Sequence, residues 1–259
     1  GGALALLRGK TASAARIGIG LCFLAAFTGN VSILYYSSTV FEELGLSNSL
    51  TISAVALPNI VGALLALYLL DVWGRRPLLQ LSFGAMAVSL GLLAAALGTQ
   101  GAAAPLTLPV VGETSLAAVA CVTCLPVYVA AYSAGAGPVP WLLYNELFPT
   151  RLRARATALC TTLNYCANVV VAQSFLPAVE RFGLGNTYGV YAAFCAAGLV
   201  FTNKYVLETK GLSLQQIEFM LAQEGTGARA GDAMGELFAE TAEPLPGPVV
   251  QSADRIGEG

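Results

Sequence analysis

The chain has 259 residues, of which 56% are hydrophobic and only 11% are charged, whereas a soluble domain carries about 25% charged residues. One core could not bury so much apolar surface, so this composition excludes an ordinary water-soluble protein and indicates an integral membrane protein. A net charge of −2 without any basic run argues against a nucleic-acid partner, and the lack of histidine removes the commonest zinc ligand and general base.

The apolar residues fall into segments long enough to cross a bilayer, which takes about 20 residues per helix. We predict an all-α membrane protein built as a six-helix bundle, with spans at residues 15–41, 51–71, 77–99, 114–146, 154–179 and 186–206. The remaining chain divides into a linker over 1–14, a short amphipathic helix over 211–224 and a disordered acidic tail over 225–259, with the membrane domain itself covering 15–210.

The first predicted span carries a polar interruption, Thr28-Gly29-Asn30-Val31-Ser32, and further hydroxyl groups follow it at Tyr35-Tyr36-Ser37-Ser38-Thr39. A helix that faces lipid on all sides does not carry so many polar groups. We therefore expect this span to line an aqueous path, where its hydroxyls can hydrogen-bond a polyol.

The fourth predicted span is broken by the sequence GAGPVPW at residues 135–141. Glycine and proline at this density end a helix, and a broken helix is tolerated at membrane depth only where it faces protein or a water-filled cavity. We predict a hinge at Gly135, Gly137, Pro138 and Pro140; a proline kink that serves packing alone is the alternative. The first and fourth spans each open a group of three helices, so their paired interruptions predict an inverted 3+3 repeat.

Three asparagines lie in otherwise apolar segments. Asn164 and Asn168 are four residues apart and share one helix face, and Asn59 lies in the second span. Side-chain amides both donate and accept hydrogen bonds, which suits sugar hydroxyls, and Trp141 can stack on the C–H face of a sugar ring. The alternative is that the asparagines join helices to one another.

Positive charge is concentrated on one side of the predicted bundle. If the Arg75-Arg76 pair marks the inner side, Arg181 alone among the basic residues lies outside, so both termini are predicted to be cytoplasmic. Acidic residues at the ends of neighbouring spans, Asp71 and Glu146, lie on that same side. They predict a salt-bridge cluster that forms in one conformation and breaks in another.

No cofactor or metal site is predicted. Cys121 and Cys124 form a C-x-x-C pair, but no second ligand pair accompanies them, and two small residues one turn apart suit a membrane helix. The sequence also offers no nucleophile–base pair of the kind that an enzyme needs.

In their order and spacing, these motifs resemble the sugar porter family of the major facilitator superfamily, which includes the facilitative glucose transporters and plant monosaccharide transporters. The resemblance covers residues 15–224. GAGPVP, and ETKG without a preceding proline, are similar to the plastid-type glucose transporters of plants and algae. The motifs are Tyr35-Tyr36-Ser37, Asp71-x-x-Gly74-Arg75-Arg76, Gly135-x-Gly137-Pro138-x-Pro140-Trp141, Glu146-Leu147-Phe148-Pro149, Arg153 and Glu208-Thr209-Lys210-Gly211.

The resemblance implies that the chain is the C-terminal half of a twelve-helix transporter, with the sugar held between two halves and alternating access around it. The sugar contacts that it implies are Asn59, Trp141 and Asn164, with Tyr132 and Asn168 nearby and Asn30 one residue from a usual contact. The inner charge network that it implies comprises Asp71, Arg75, Arg76, Glu146, Arg153 and Glu208.

The chain departs from the family pattern in its first span. Ala25, Ala26 and Val31 stand where the family usually carries paired glutamines and an asparagine. Each lost hydrogen bond is worth about 0.5–1.5 kcal/mol, so we expect weaker hexose binding or a different substrate.

We therefore expect a transporter of a hexose or polyol that is not an enzyme and binds no nucleic acid. Its expected partners are the sugar, the lipid bilayer, and a missing N-terminal six-helix half or a second copy, and the membrane is the plasma membrane or the plastid envelope. The alternatives are a transport-inactive sugar sensor or scaffold and a truncated gene fragment. A six-helix channel is disfavoured because the broken helices supply no repeated pore loop.

Overall fold

The computed structural model describes residues 12–43, 48–98, 116–212, 216–217 and 220, and the regular secondary structure in these ranges is entirely helical. This confirms the predicted all-α class. A five-residue π-helix, Tyr132–Ala136, joins α5 to α6. The α-helices are α1 (Ala12–Phe27), α2 (Asn30–Glu43), α3 (Asn48–Val72), α4 (Arg75–Gly98), α5 (Leu116–Ala131), α6 (Pro138–Leu147), α7 (Arg153–Phe182) and α8 (Leu184–Tyr205).

Five stretches of the described chain are long and apolar enough to cross a membrane, and they correspond to all but one of the predicted spans: Ser13–Ser37, Ser53–Val72, Arg75–Gly98, Val119–Leu147 and Leu184–Tyr205. The exception, 154–179, lies in α7. That helix has 30 residues and is therefore about 45 Å long, but amides such as Asn164, Asn168 and Gln173 make it more polar than the others. The Asn164 amide bonds a backbone carbonyl of α1, and the Asn168 amide bonds Asn164.

The helices pack around one apolar core. α4 lies chiefly against α8 and α5, α1 lies against α7 and α8, and α3 lies against α5 and the π-helix. Phe83 of α4 is fully buried, and Gly198 of α8 lets the two backbones approach, since a Cβ there would lie 2.6 Å from the Phe83 ring. This arrangement leaves α2, α3 and the π-helix on a side of the bundle where a cleft opens.

The chain outside the spans is described only in part. Residues 12–14, assigned to the linker from the sequence, form the first turn of α1. In the predicted amphipathic helix, Ile217 and Met220 are helical and buried in the main core, so these two side chains pack against the bundle. Residues 1–11 and the predicted tail lie outside the described residues.

Candidate functional site

The first helix break lies between α1 and α2, where the sequence predicts an interruption. Gly29 has a φ of 82°, a conformation that favours glycine, and a Cβ at this position would collide with the Tyr191 ring. The Thr28 hydroxyl donates to the Ala25 carbonyl at 2.7 Å and satisfies an acceptor at the end of α1. A new helix then starts at Asn30.

The second break lies between α5 and α6 and is built from the π-helix. The Gly137 N–H donates to the Tyr132 carbonyl at 2.8 Å, five residues back, and α6 begins at Pro138. Of the predicted hinge, Gly135 and Gly137 lie in the break itself. Pro138 and Pro140 lie in the first turn of α6, where a missing N–H removes no intrahelical bond.

Two hydroxyl groups that the sequence did not single out satisfy the broken backbone. Ser82 of α4 donates to the Ala131 carbonyl at 2.7 Å and accepts from the Ala136 N–H at 2.9 Å. Tyr128 of α5 donates to the Thr28 carbonyl at 3.0 Å and thereby ties one break to the other. Neither residue belongs to a recognisable motif, so only the packing of the helices could have revealed them.

A cleft of about 570 Å³ opens between α2, α3 and the π-helix, within the usual range of small-molecule sites, about 300–1,000 Å³. Its polar groups are Asn30, Asn59, Tyr132 and Ser133. The rest of the lining is apolar, mostly from α3, and comprises Leu34, Ile60, Ala63, Leu64, Ala66, Leu67, Leu70, Gly137 and Pro138. Three of the predicted sugar contacts, Asn30, Asn59 and Tyr132, are thus brought together here.

Asn30 is the most unusual of these groups. Its side chain is only 9% exposed, and its Oδ1 has no hydrogen-bond partner among the described residues, although the Tyr132 hydroxyl lies beside the amide. A buried acceptor left unpaired costs about 1–3 kcal/mol. This oxygen has almost no accessible surface, so a ligand in the cleft would reach it only after the Asn30 side chain turns.

The other three predicted contacts lie outside the described lining of this cleft. The amide Nδ2 of Asn164 donates to the Cys22 carbonyl at 3.0 Å, and Asn168 Nδ2 donates to Asn164 Oδ1 at 2.9 Å. These two amides therefore join α7 to α1 and to each other. Trp141 is 37% exposed and lies against Tyr165, with ring centroids 6.2 Å apart. The role of the three residues as sugar contacts stays a prediction.

A polar cluster lies where α4, α6 and the segment after α8 meet. Arg75 forms an ion pair with Glu146, with Nη2 and Oε1 2.8 Å apart, and Nε donates to the same oxygen at 3.2 Å. The other Glu146 oxygen accepts from the Thr209 hydroxyl at 2.5 Å. One carboxylate thus holds three elements together, and two of the three residues were predicted as partners.

Glu208 acts on backbone groups. Its two carboxylate oxygens accept from the N–H groups of Arg75 and Arg76, both at 3.0 Å, and Oε1 also accepts from Lys210 N–H at 2.9 Å. An acidic group at a helix N-terminus satisfies orphan donors and complements the helix dipole. Glu208 therefore caps α4 from a distant part of the chain.

The side chains of Asp71, Arg76 and Arg153 form no described bond to the carboxylates of Glu146 or Glu208. Asp71 is exposed, and within the described part of the chain its carboxylate forms no ion pair. Arg153 Nε reaches the Phe148 carbonyl at 3.4 Å, and its buried Nη2 has no partner among the described residues. The Arg76 guanidinium donates to the Asn203 carbonyl at 2.6 Å.

The chain is similar to known proteins that are named as transporters. The family model described as "Sugar (and other) transporter" matches residues 3–221. Plastidic glucose transporter 4 of Arabidopsis thaliana is 36% identical over 207 residues, which are 79% of this chain and 36% of that protein. The glucose transport protein of Synechocystis sp. is 33% identical over 204 residues, 78% of this chain and 43% of that protein.

Solved structures show the same likeness. The proton:xylose symporter XylE of the major facilitator superfamily, bound to 6-bromo-6-deoxy-D-glucose, superimposes with a TM-score of 0.67 at 30% identity, over 79% of this chain and 42% of that one. The inward open conformation of XylE from E. coli gives a TM-score of 0.66 at 28% identity, over 80% of this chain and 42% of that one. The chain thus spans less than half the length of these relatives.

Proposed function

Because this chain belongs to the sugar (and other) transporter family of multi-pass membrane proteins, we propose that it is the C-terminal, six-helix half of a carrier that moves a monosaccharide by alternating access. The relatives are named as transporters and not as enzymes. They are more than twice as long as the part that matches this chain, which supports a second six-helix unit as its partner. Relatives named plastidic support the plastid envelope as its membrane.

The observation that carries this proposal is a cleft in which four polar residues, Asn30, Asn59, Tyr132 and Ser133, face an otherwise apolar lining. A monosaccharide presents hydroxyl donors around its ring and C–H groups on its faces. The amides of Asn30 and Asn59, which can both donate and accept, contact neighbouring ring hydroxyls. The C–H face then lies on the apolar side of α3, where dispersion and desolvation favour it.

The cluster around Glu146 supplies a gate on the inner side. The side chains of Arg75 and Glu146 are 21% and 24% exposed, so water can replace their ion pair when the two helices separate. The pair closes α4 against α6, the helix that follows the π-helix break. We assign the closed inner gate to the conformation in which this pair is formed, with both chain termini on the cytoplasmic side.

The test is uptake of labelled monosaccharides by liposomes that contain the protein in its native length. Asn30→Ala and Asn59→Ala should each raise the half-saturation concentration by about two- to tenfold, since each removes one hydrogen bond of about 0.5–1.5 kcal/mol. Asn186→Ala is the matched control, because Asn186 is an exposed amide of α8 that lies outside the described lining of the cleft.

The other possible results of this uptake experiment distinguish a different ligand site, a sensor, and a protein that does not transport monosaccharides. Uptake that ignores Asn30→Ala and Asn59→Ala but falls with Trp141→Ala places the ligand along α6 and α7 and overturns the cleft assignment. Monosaccharide binding without uptake identifies a sensor. Neither binding nor uptake of any monosaccharide refutes the proposed function.

A further inference from the structure

We propose that Ser82 is a positioning residue for the ligand site, although it lies on α4 and outside the described lining of the cleft. Its hydroxyl fixes the π-helix, and the π-helix forms one wall of the cleft. This inference rests on the proposed function, because the affected quantity is the affinity for the transported sugar.

The hydroxyl of Ser82 spans the π-helix from end to end. Ala131, whose carbonyl accepts from it at 2.7 Å, is the residue before the π-helix, and Ala136, whose N–H donates to it at 2.9 Å, is the last residue within it. A hydroxyl can donate one bond and accept another at once. Ser82 is therefore inserted into the backbone ladder, an arrangement that bends a helix.

The segment held in this way carries part of the cleft. Tyr132 and Ser133 lie between the two bonded ends and line the cleft, and Pro138 follows directly after the break. Gly135 packs its α-carbon against Ser82, since a Cβ at Gly135 would lie 2.5 Å from the Ser82 Cβ. The hydroxyl and the missing side chain together set how far the π-helix stands from α4, and hence from Asn30 across the cleft.

Ser89 shows that this role is particular to Ser82. It lies two turns further along α4, is also buried, and donates to the Met86 carbonyl of its own helix at 3.1 Å. Ser82 instead directs both of its bonds to another segment and is 2% exposed. Because Ser82 is almost fully buried, bulk water does not reach these bonds. Their loss leaves two buried backbone groups without the Ser82 hydroxyl and favours movement of the π-helix.

The experiment compares Ser82→Ala, Ser82→Cys and Ser89→Ala in the native-length protein by sugar uptake and by amide hydrogen exchange. We expect Ser82→Ala to raise KM about tenfold, equivalent to about 1.4 kcal/mol of lost binding, while kcat stays close to the parent value. Ser82→Cys keeps the shape and a weak donor, so its KM should lie between the KM of Ser82→Ala and that of the parent protein. Ser89→Ala should match the parent.

Hydrogen exchange tests the same idea without any ligand. Ser82→Ala should speed exchange in peptides that cover residues 131–137, because the Ala136 N–H loses the Ser82 hydroxyl as an acceptor, and leave α8 unchanged. A Ser82→Ala variant with parental KM overturns the inference, and so does faster exchange spread evenly over all helices. If Ser82→Ala does not fold, the same two measurements on Ser82→Cys decide the question in its place. If the parent protein moves no sugar, the proposed function fails, and exchange at 131–137 still decides whether Ser82 holds the π-helix.

Discussion

The Tyr128 hydroxyl offers a direct test of how the two helix breaks support each other. Tyr128 is 0% exposed and donates to the Thr28 carbonyl at 3.0 Å, across 100 residues of sequence. The change Tyr128→Phe keeps the ring and removes only the oxygen, so the Thr28 carbonyl is left as a buried acceptor without this donor. Such a group costs about 1–3 kcal/mol, and we expect the free energy of unfolding to fall by that amount.

Tyr144→Phe is a closely matched control. Tyr144 is also almost fully buried, but its hydroxyl has no hydrogen-bond partner among the described residues. Tyr144→Phe therefore removes the same oxygen from a similarly buried site without removing a hydrogen bond. Because an unpaired buried hydroxyl is itself unfavourable, the free energy of unfolding should stay the same or rise.

Both variants can be measured by equilibrium unfolding in mixed detergent micelles, with loss of helical circular dichroism as the signal. The informative quantity is the difference between the two changes, because any general effect of removing a phenol oxygen cancels. Equal losses in both variants would falsify the reasoning, since the cost would then come from packing. A neutral Tyr128→Phe would show that the two breaks are held independently.

Two further predictions concern backbone geometry and use the same unfolding assay. Glu208→Ala removes the acceptor for two backbone N–H groups at the start of α4 and for the Lys210 N–H, and should destabilise the protein by about 1–2 kcal/mol. Glu208→Gln, which retains one acceptor oxygen, should cost less, and equal stability of Glu208→Ala and the parent would contradict the capping role. Gly29→Ala must adopt a φ of 82° against the Tyr191 ring and should cost about 2 kcal/mol or more. The control is Gly91→Ala, where a Cβ meets no atom within 4 Å, and its stability should stay level or rise; the prediction for Gly29→Ala is wrong if both alanines behave alike.

The positions of the two helix breaks could be predicted because their causes are local. Glycine and proline at 135–140 and the polar run at 28–32 act within a few residues, through backbone conformations and missing donors. Both breaks occur where the sequence indicates them. The π-helix was not foreseen, because the hydroxyl that bonds both of its ends belongs to Ser82 of α4, a distant part of the sequence.

The groups that stabilise these breaks could not be predicted from sequence. Ser82 and Ala136 are 54 residues apart, and Tyr128 and Thr28 are 100 apart. The sequence does not distinguish a serine or tyrosine that bonds its own helix, as Ser89 does, from one that bonds a distant backbone group. The same limit applies to Asn164, for which helix joining and sugar contact were equally compatible with the sequence; its bond to the Cys22 carbonyl accounts for one of its donors.

Asn30 changes how the departures in the first span should be understood. Its offset of one residue from the usual asparagine is about 100° around a helix, and α2 turns Asn30 and Leu34, one helical turn apart, towards the cleft shared with α3. Ala25 and Ala26 are buried on α1, outside the described lining. If the cleft binds the sugar as proposed, its polar contacts lie at the first turn of α2 and at Asn59 instead of on α1. Most of the lining is apolar, so we expect the proposed carrier to select its sugar more by shape and C–H surface than by the number of hydroxyls.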